Sequence, residues 1–235
     1  STRKESSAAS DVYKRQDDYR RVYREVLSSA TVPVVLHWLG TAFDPELAGY
    51  FGADDWQTAS AVLLDIIAEQ PDKVAGVKMS LLNAESEISV REQLPQGVRM
   101  FTGDDFNYVG LIGGDTVGQG DGHSDALLGA FAAITPVASA AIQALDAGAP
   151  ARYLEILGPT EDLSRQVFAA PTFYYKTGVA FLSWLNGHQP AFQMVGGLHS
   201  ARSLPHLSRI VELANASLAL EKPCLLYTSP SPRDS

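Results

Sequence analysis

Short apolar runs and longer amphipathic stretches take turns along the first half of the chain. Residues 32–37 (VPVVLH), 74–79 (VAGVKM) and 98–102 (VRMFT) are compact, rich in β-branched side chains and bounded by glycine or polar residues. They are predicted as buried strands. Pro33 fits only at a strand start or on an edge. Between the first two runs, Trp56, Ala59, Val62, Leu63, Ile66 and Ile67 recur at helical spacing, with Asp54 or Asp55 placed to cap. The spacing predicts further helices over 17–29, where Val22 and Val26 stand one turn apart, over 85–93 and over 106–112. Residues 116–120 (TVGQG) read as a fourth, short and glycine-rich strand. From 124 onward the expectation is helical throughout: 124–131, 136–147, 152–157, 163–168, 172–185 and 203–218, with Pro136 opening its helix.

Strand and helix alternating four times imply an α/β fold with a parallel sheet and crossover helices. An open doubly wound sheet and part of a (β/α)8 barrel both fit. No G-x-G-x-x-G follows a strand, so the dinucleotide-binding form of the open sheet loses support.

The two ends differ from the middle. Residues 1–16 are polar and aperiodic, and 223–235 (PCLLYTSPSPRDS) are rich in proline and serine. Both are expected to be non-native or disordered tails. "DVYKRQ" and "LLYTSPSPRDS" resemble translated library-adapter sequence, which would make this chain a fragment cut at both edges. Composition adds bounds. Of 235 residues 46% are hydrophobic and 19% charged, a globular balance. A net charge of −9 without a basic stripe argues against nucleic acid, and no apolar run is long enough for a membrane span. Cys224 is the single cysteine, so neither an intramolecular disulfide nor a cysteine-rich metal site is available. With no signal-peptide pattern, the expected compartment is the cytoplasm.

Polar side chains gather where the predicted strands end: His37, then Lys78, then Gly103, Asp104 and Asp105, then Gln119, Asp121 and His123. In a parallel α/β fold that is where an active site forms. Lys78 interrupts an apolar run. It is either a lysine that snorkels at a sheet edge or an amine nucleophile able to form a Schiff base. An unperturbed lysine is neutral only about 0.04% of the time at pH 7, and lowering its pKa by roughly three units makes about a quarter of it neutral. His37 is either a structural hydrogen-bonding group or a proton carrier. Asp104 and Asp105 fit a helix cap as well as a binding role, and the segment 121–125 fits a cap as well as a metal site.

The order of these motifs resembles the dihydrodipicolinate synthase / N-acetylneuraminate lyase family of Schiff-base aldolases. Residues 32–40 look like that family's fifth strand. Gly76-Val77-Lys78-Met79-Ser80 is similar to the sixth, Thr102-Gly103-Asp104-Asp105 to the seventh, and 116–120 with Pro136 beyond to the eighth and its helix. Leu145-Asp146-Ala147-Gly148, Lys176 in YYKTG, and Arg202-Ser203-Leu204-Pro205 resemble the C-terminal helical region. The resemblance implies a TIM half-barrel over 17–148 (strands five to eight), helices over 149–222, and a lyase acting on a 2-oxo acid such as pyruvate without a cofactor. It further implies a homo-oligomer when full length. Lys78 would be the Schiff-base lysine, Gly103 and Asp105 would line the substrate pocket, and Gly120 and Asp121 would lie in the loop that closes it.

Two departures stand out. His37 occupies the place of the family's proton-shuttling tyrosine, a role histidine can also fill near pH 7. The first four strands, with the Gly-Thr-Thr-Gly-Glu motif that binds the substrate carboxylate, have no counterpart, so the fragment alone is expected to be inactive. Two other readings stay open: a metal-dependent barrel enzyme with His37, Asp121 and His123 as ligands, and an inert half-barrel that serves as a binding piece.

Overall fold

The computed structural model describes the backbone of residues 2–221 and the side chains of 15–221. The chain divides after Leu127 into an α/β unit and a helical unit.

In the α/β unit, helix α1 (Thr2–Ser29) leads into strand β1 (Val34–Leu39). Then come α2 (Trp56–Glu69), β2 (Val74–Ser80), α3 (Ala84–Arg91), β3 (Arg99–Thr102), α4 (Tyr108–Gly113) and β4 (Asp125–Ala126). The four strands form one parallel sheet in the order β1-β2-β3-β4. Each strand therefore lies beside its predecessor, and the reversal of direction that marks a doubly wound sheet does not occur. Asp55 caps α2 by accepting from the Thr58 amide at 2.7 Å, and Asn83 caps α3 by accepting from the Ser86 amide at 2.9 Å. The inner face of α2 (Ala59, Val62, Leu63, Ile66, Ile67) is buried together with Leu36 and Trp38 of β1, Val77 and Met79 of β2, and Met100 of β3. The alternate residues, Val35 and His37, remain exposed. One face of the sheet is packed and the other is open.

Several expectations need correction. The tail boundary drawn at residue 16 falls inside α1, where Gln16 is buried and approaches Gly52. Val22 and Val26 face solvent, whereas Leu27 is fully buried and Tyr19 and Tyr23 pack on the core. Tyr23 can turn inward because its hydroxyl meets that of Tyr50 at 2.9 Å. Residues 116–120 do not form a strand. Gly118, Gly120 and Gly122 take φ values of 77°, 76° and 67°, which extended backbone excludes, and the segment coils as a 3-10 turn over Gly114–Val117. The fourth strand lies later, at Asp125–Ala126, where a helix was expected. The unit boundary falls at 127 rather than 148, so the helix expected over 136–147 belongs with the helical unit. The tail expected over 223–235 lies outside the described residues.

The helical unit contains α5 (Thr135–Asp146), α6 (Pro150–Leu157), α7 (Thr160–Val167), α8 (Tyr175–Leu185) and α9 (Leu204–Ala216). Pro136 sits in the first turn of α5, as expected. Ser203 caps α9. Tyr153, Leu157, Leu163, Val167, Phe168, Leu182 and Ile210 are buried here. Arg202 ties off the end of α7: its guanidinium donates to the carbonyls of Ala169 at 2.5 Å, Pro171 at 3.1 Å and Ala170 at 3.3 Å. The Ala169 and Ala170 carbonyls lie past the last turn of α7, and that of Pro171 also accepts from the Tyr174 amide at 3.1 Å. Arg202→Ala is therefore expected to lower stability by about 2 kcal/mol, with Arg202→Lys recovering little because an ammonium lacks the planar fork. Urea unfolding followed by the fluorescence of Trp184, the tryptophan of this unit, checks this. Among the described residues, no helix is long and apolar enough to cross a membrane.

Candidate functional site

Pairing between parallel strands sets the site. His37 of β1 lies opposite Lys78 of β2, Lys78 opposite Phe101 of β3, and Phe101 opposite Asp125 of β4. Paired positions project to one face, here the open one. Two residues further along β2, on the same face, stands Ser80. Its hydroxyl meets His37 Nε2 at 3.0 Å. Lys78 is half-buried, and Asp105, in the turn after β3, is buried and close enough to attract it. Burial lowers the Lys78 pKa below its ordinary 10.5, and the Asp105 charge opposes that fall. The His37 pKa is lowered from 6.5 by loss of water on the sheet side and then by the Lys78 charge, although part of the ring stays open to solvent. Amine, imidazole and hydroxyl thus meet in one patch toward the C-terminal ends of β1 and β2.

Gly103 closes the floor of this patch. Its amide donates to the Met79 carbonyl at 2.7 Å, drawing the turn after β3 against the end of β2. A methyl group at Gly103 would collide with the Ser80 hydroxyl, and would stand 2.8 Å from the Met79 carbonyl and 2.9 Å from Lys78 Cε. Asp104 is the cap that one reading expected. Its Oδ1 accepts from the amides of Phe106 at 2.8 Å and Asn107 at 3.0 Å, and Oδ2 accepts from the Asn107 side chain.

Four of the six residues expected in the site come together: Lys78, His37, Gly103 and Asp105. Gly120 and Asp121 do not. They belong to the connection that precedes β4, beside the last turn of α3: the Arg91 guanidinium donates to the Gln119 carbonyl at 2.9 Å, and a methyl on Gly120 would meet Ile88 at 3.0 Å. That turn feeds the N-terminal end of β3, opposite the end where Ser80 and Gly103 meet. The physical reason is the one that removes the expected strand: positive-φ glycines make a turn, and β4 starts only after it. The ligand set of His37, Asp121 and His123 is not assembled. Among the described residues no three of His, Cys, Asp or Glu stand where they could hold a metal ion. Of the other lysines whose side chains are described, Lys73 donates to the Ala30 carbonyl at 2.7 Å, and Lys176 is exposed on α8.

Two groups were given no role from the sequence. Ser80 carried a signal, since a residue two after Lys78 shares its face of a strand. Glu87 carried none, because an acid in the first turn of α3 reads as an ordinary helix-start charge. It is nonetheless 1% exposed. Oε2 accepts from the Thr102 hydroxyl at 3.1 Å, while Oε1 has the Ser124 hydroxyl nearby without the geometry of a hydrogen bond. Burial pushes the Glu87 pKa up to about 7; Asp104 adds to the rise, and Ser124, Thr102 and Arg91 oppose it. Arg91 itself donates to the Leu111 carbonyl at 3.2 Å and to the Ser124 hydroxyl at 3.3 Å. The cluster lies on the packed side of β3, away from Lys78.

No curated protein matches the chain. Residues 4–229 match the family described as protein of unknown function (DUF993), across both of the boundaries that composition draws at 16 and 223, and the chain belongs to that family.

Proposed function

We propose that this chain is part of a (β/α)8 barrel, contributing strands five to eight, and that it acts as a lyase or aldolase through a Schiff base on Lys78 with a 2-oxo acid, as its resemblance to the dihydrodipicolinate synthase / N-acetylneuraminate lyase family implies. The observation that carries this reading is Lys78: a half-buried amine near the C-terminal end of a parallel strand, with lowered pKa, between His37 and Asp105. The strand order and the open face on which Lys78 stands are compatible with barrel geometry, in which that face is the interior.

In this reaction the neutral Lys78 amine attacks the 2-oxo carbon. The resulting carbinolamine gains a proton on its hydroxyl, loses water and becomes an iminium. The positive nitrogen then draws electrons from the adjacent carbon, so that a proton or a carbon substituent on it can leave. His37 is the proton carrier placed beside the amine. Gly103 leaves the space in which the new bonds form.

The test is reduction with cyanoborohydride in the presence of pyruvate, on the complete barrel that this reading implies, with the four preceding strands restored, followed by peptide mapping. A single adduct on Lys78, lost in Lys78→Ala and unaffected in Lys176→Ala, is the expected result. An adduct that persists in Lys78→Ala, or that spreads evenly over Lys73 and Lys176, would refute the assignment.

A further inference from the structure

A Schiff base needs a proton donor for the departing hydroxyl, and which nitrogen of His37 supplies it depends on what holds the other. The Ser80 side chain is buried, and its hydroxyl has one hydrogen-bond partner among the described residues, His37 Nε2 at 3.0 Å. A buried hydroxyl with a single partner keeps that bond. Because a hydroxyl both donates and accepts, the bond survives either protonation state of the ring. It accepts from Nε2–H of the imidazolium and can donate to a bare Nε2. The hydroxyl is fixed in turn by Gly103, whose missing side chain leaves the space it occupies beside Lys78.

We propose that Ser80 is the positioning residue of His37, engaging Nε2 so that Nδ1 is the nitrogen that exchanges protons above Lys78. This rests on the Schiff-base reading given above. Imidazolium gives its Nδ1 proton to the carbinolamine hydroxyl, which leaves as water while the Lys78 nitrogen lone pair closes the C=N bond. The ring is left neutral with its remaining proton on Nε2, accepted by Ser80 Oγ. Atoms and charge balance without a further reactant. Ser80 acts through His37 and needs no contact with substrate.

The experiment measures the rate of cyanoborohydride trapping of Lys78 with pyruvate from pH 5 to 9, in the complete wild-type barrel and in its Ser80→Ala and His37→Gln variants, alongside 15N NMR of the His37 ring. Ser80→Ala removes one buried oxygen and no packing volume. It is expected to slow trapping about tenfold near neutral pH, to flatten the inflection that His37→Gln abolishes, and to shift the His37 Nε2 resonance as its hydrogen-bond partner is lost. Trapping in Ser80→Ala with the wild-type rate and pH profile, or His37 nitrogen shifts that do not respond to the substitution, overturns the proposal while Lys78 labelling stands. Absence of any Lys78 adduct in the complete wild-type barrel overturns the Schiff-base reading and the proposal with it.

Discussion

Glu87→Gln is expected to make the protein more stable at pH 8 and to leave it nearly unchanged at pH 4. The carboxyl is buried, half satisfied and held to a folded-state pKa of about 7 against an ordinary 4.5. A raised carboxyl pKa means that the folded protein binds the proton more tightly than the unfolded chain does. The stability contributed by the neutral group is therefore fully present below pH 4.5, is lost as pH rises through the window from 4.5 to 7, and does not fall further above it. The loss amounts to about 3 kcal/mol across that window. Glutamine keeps the shape and an acceptor for Thr102, adds a donor toward Ser124, and carries no charge to desolvate. Urea unfolding of both proteins at pH 4, 6 and 8 checks the prediction. A wild-type curve parallel to that of Glu87→Gln at all three values would show that Glu87 is not the buried acid described, as would a variant less stable at pH 8.

The first three strands were legible because each is an apolar run that cannot be satisfied in water, and their parallel pairing follows from the helices between them. The fourth was not. Two residues, Asp125 and Ala126, carry no period, and their place in the sheet comes from the backbone of Phe101 and Thr102 rather than from their own side chains. Residues 116–120 misled in the opposite direction: Thr116 and Val117 are good strand formers, but the glycines after them take conformations that a strand excludes. In α1 the two valines looked like the inner face, yet Tyr19, Tyr23 and Leu27 hold it. A tyrosine that finds a partner for its hydroxyl buries more apolar surface than valine does.

The site divides along the same line. Lys78 and His37 could be found because each is a polar residue at the end of an apolar run, and strand pairing alone then brings them together. Gly103 and Asp105 followed from the turn after the third strand. Gly120 and Asp121 were lost with the strand that was expected to position them. The Glu87 cluster was invisible because its burial depends on α3 packing against β3 and on the long connection that brings Ser124 back beside Leu111, whose carbonyl accepts from the Ser124 amide at 2.9 Å. No local spacing encodes a contact between residues so far apart in sequence.

Gly103→Ala is expected to damage both the fold and the site. Its φ is not in the left-handed region, so the cost is steric. The added methyl would meet the Met79 carbonyl at 2.8 Å, and that carbonyl is already fixed by the 2.7 Å bond from the Gly103 amide. The backbone can move only by breaking the link between β2 and the turn after β3. The Ser80 hydroxyl can move only by leaving His37 Nε2, and Lys78 only by swinging its Cε out of the patch. Overpacking of this kind costs about 3 kcal/mol when backbone must yield. Lys78 trapping by pyruvate and cyanoborohydride in the complete barrel is expected to fall at least tenfold, because the side chains that must give way are the ones the proposed reaction uses. Gly110→Ala serves as the contrast. Its methyl would meet only the flexible Gln119 side chain, at 3.1 Å, and alanine within α4 is expected to be neutral or stabilising by about 0.5 kcal/mol. Urea unfolding and adduct mapping of the two variants side by side decide the matter. A Gly103→Ala protein as stable as Gly110→Ala, with Lys78 labelled at the wild-type rate, would mean that the turn after β3 does not define the floor of the site.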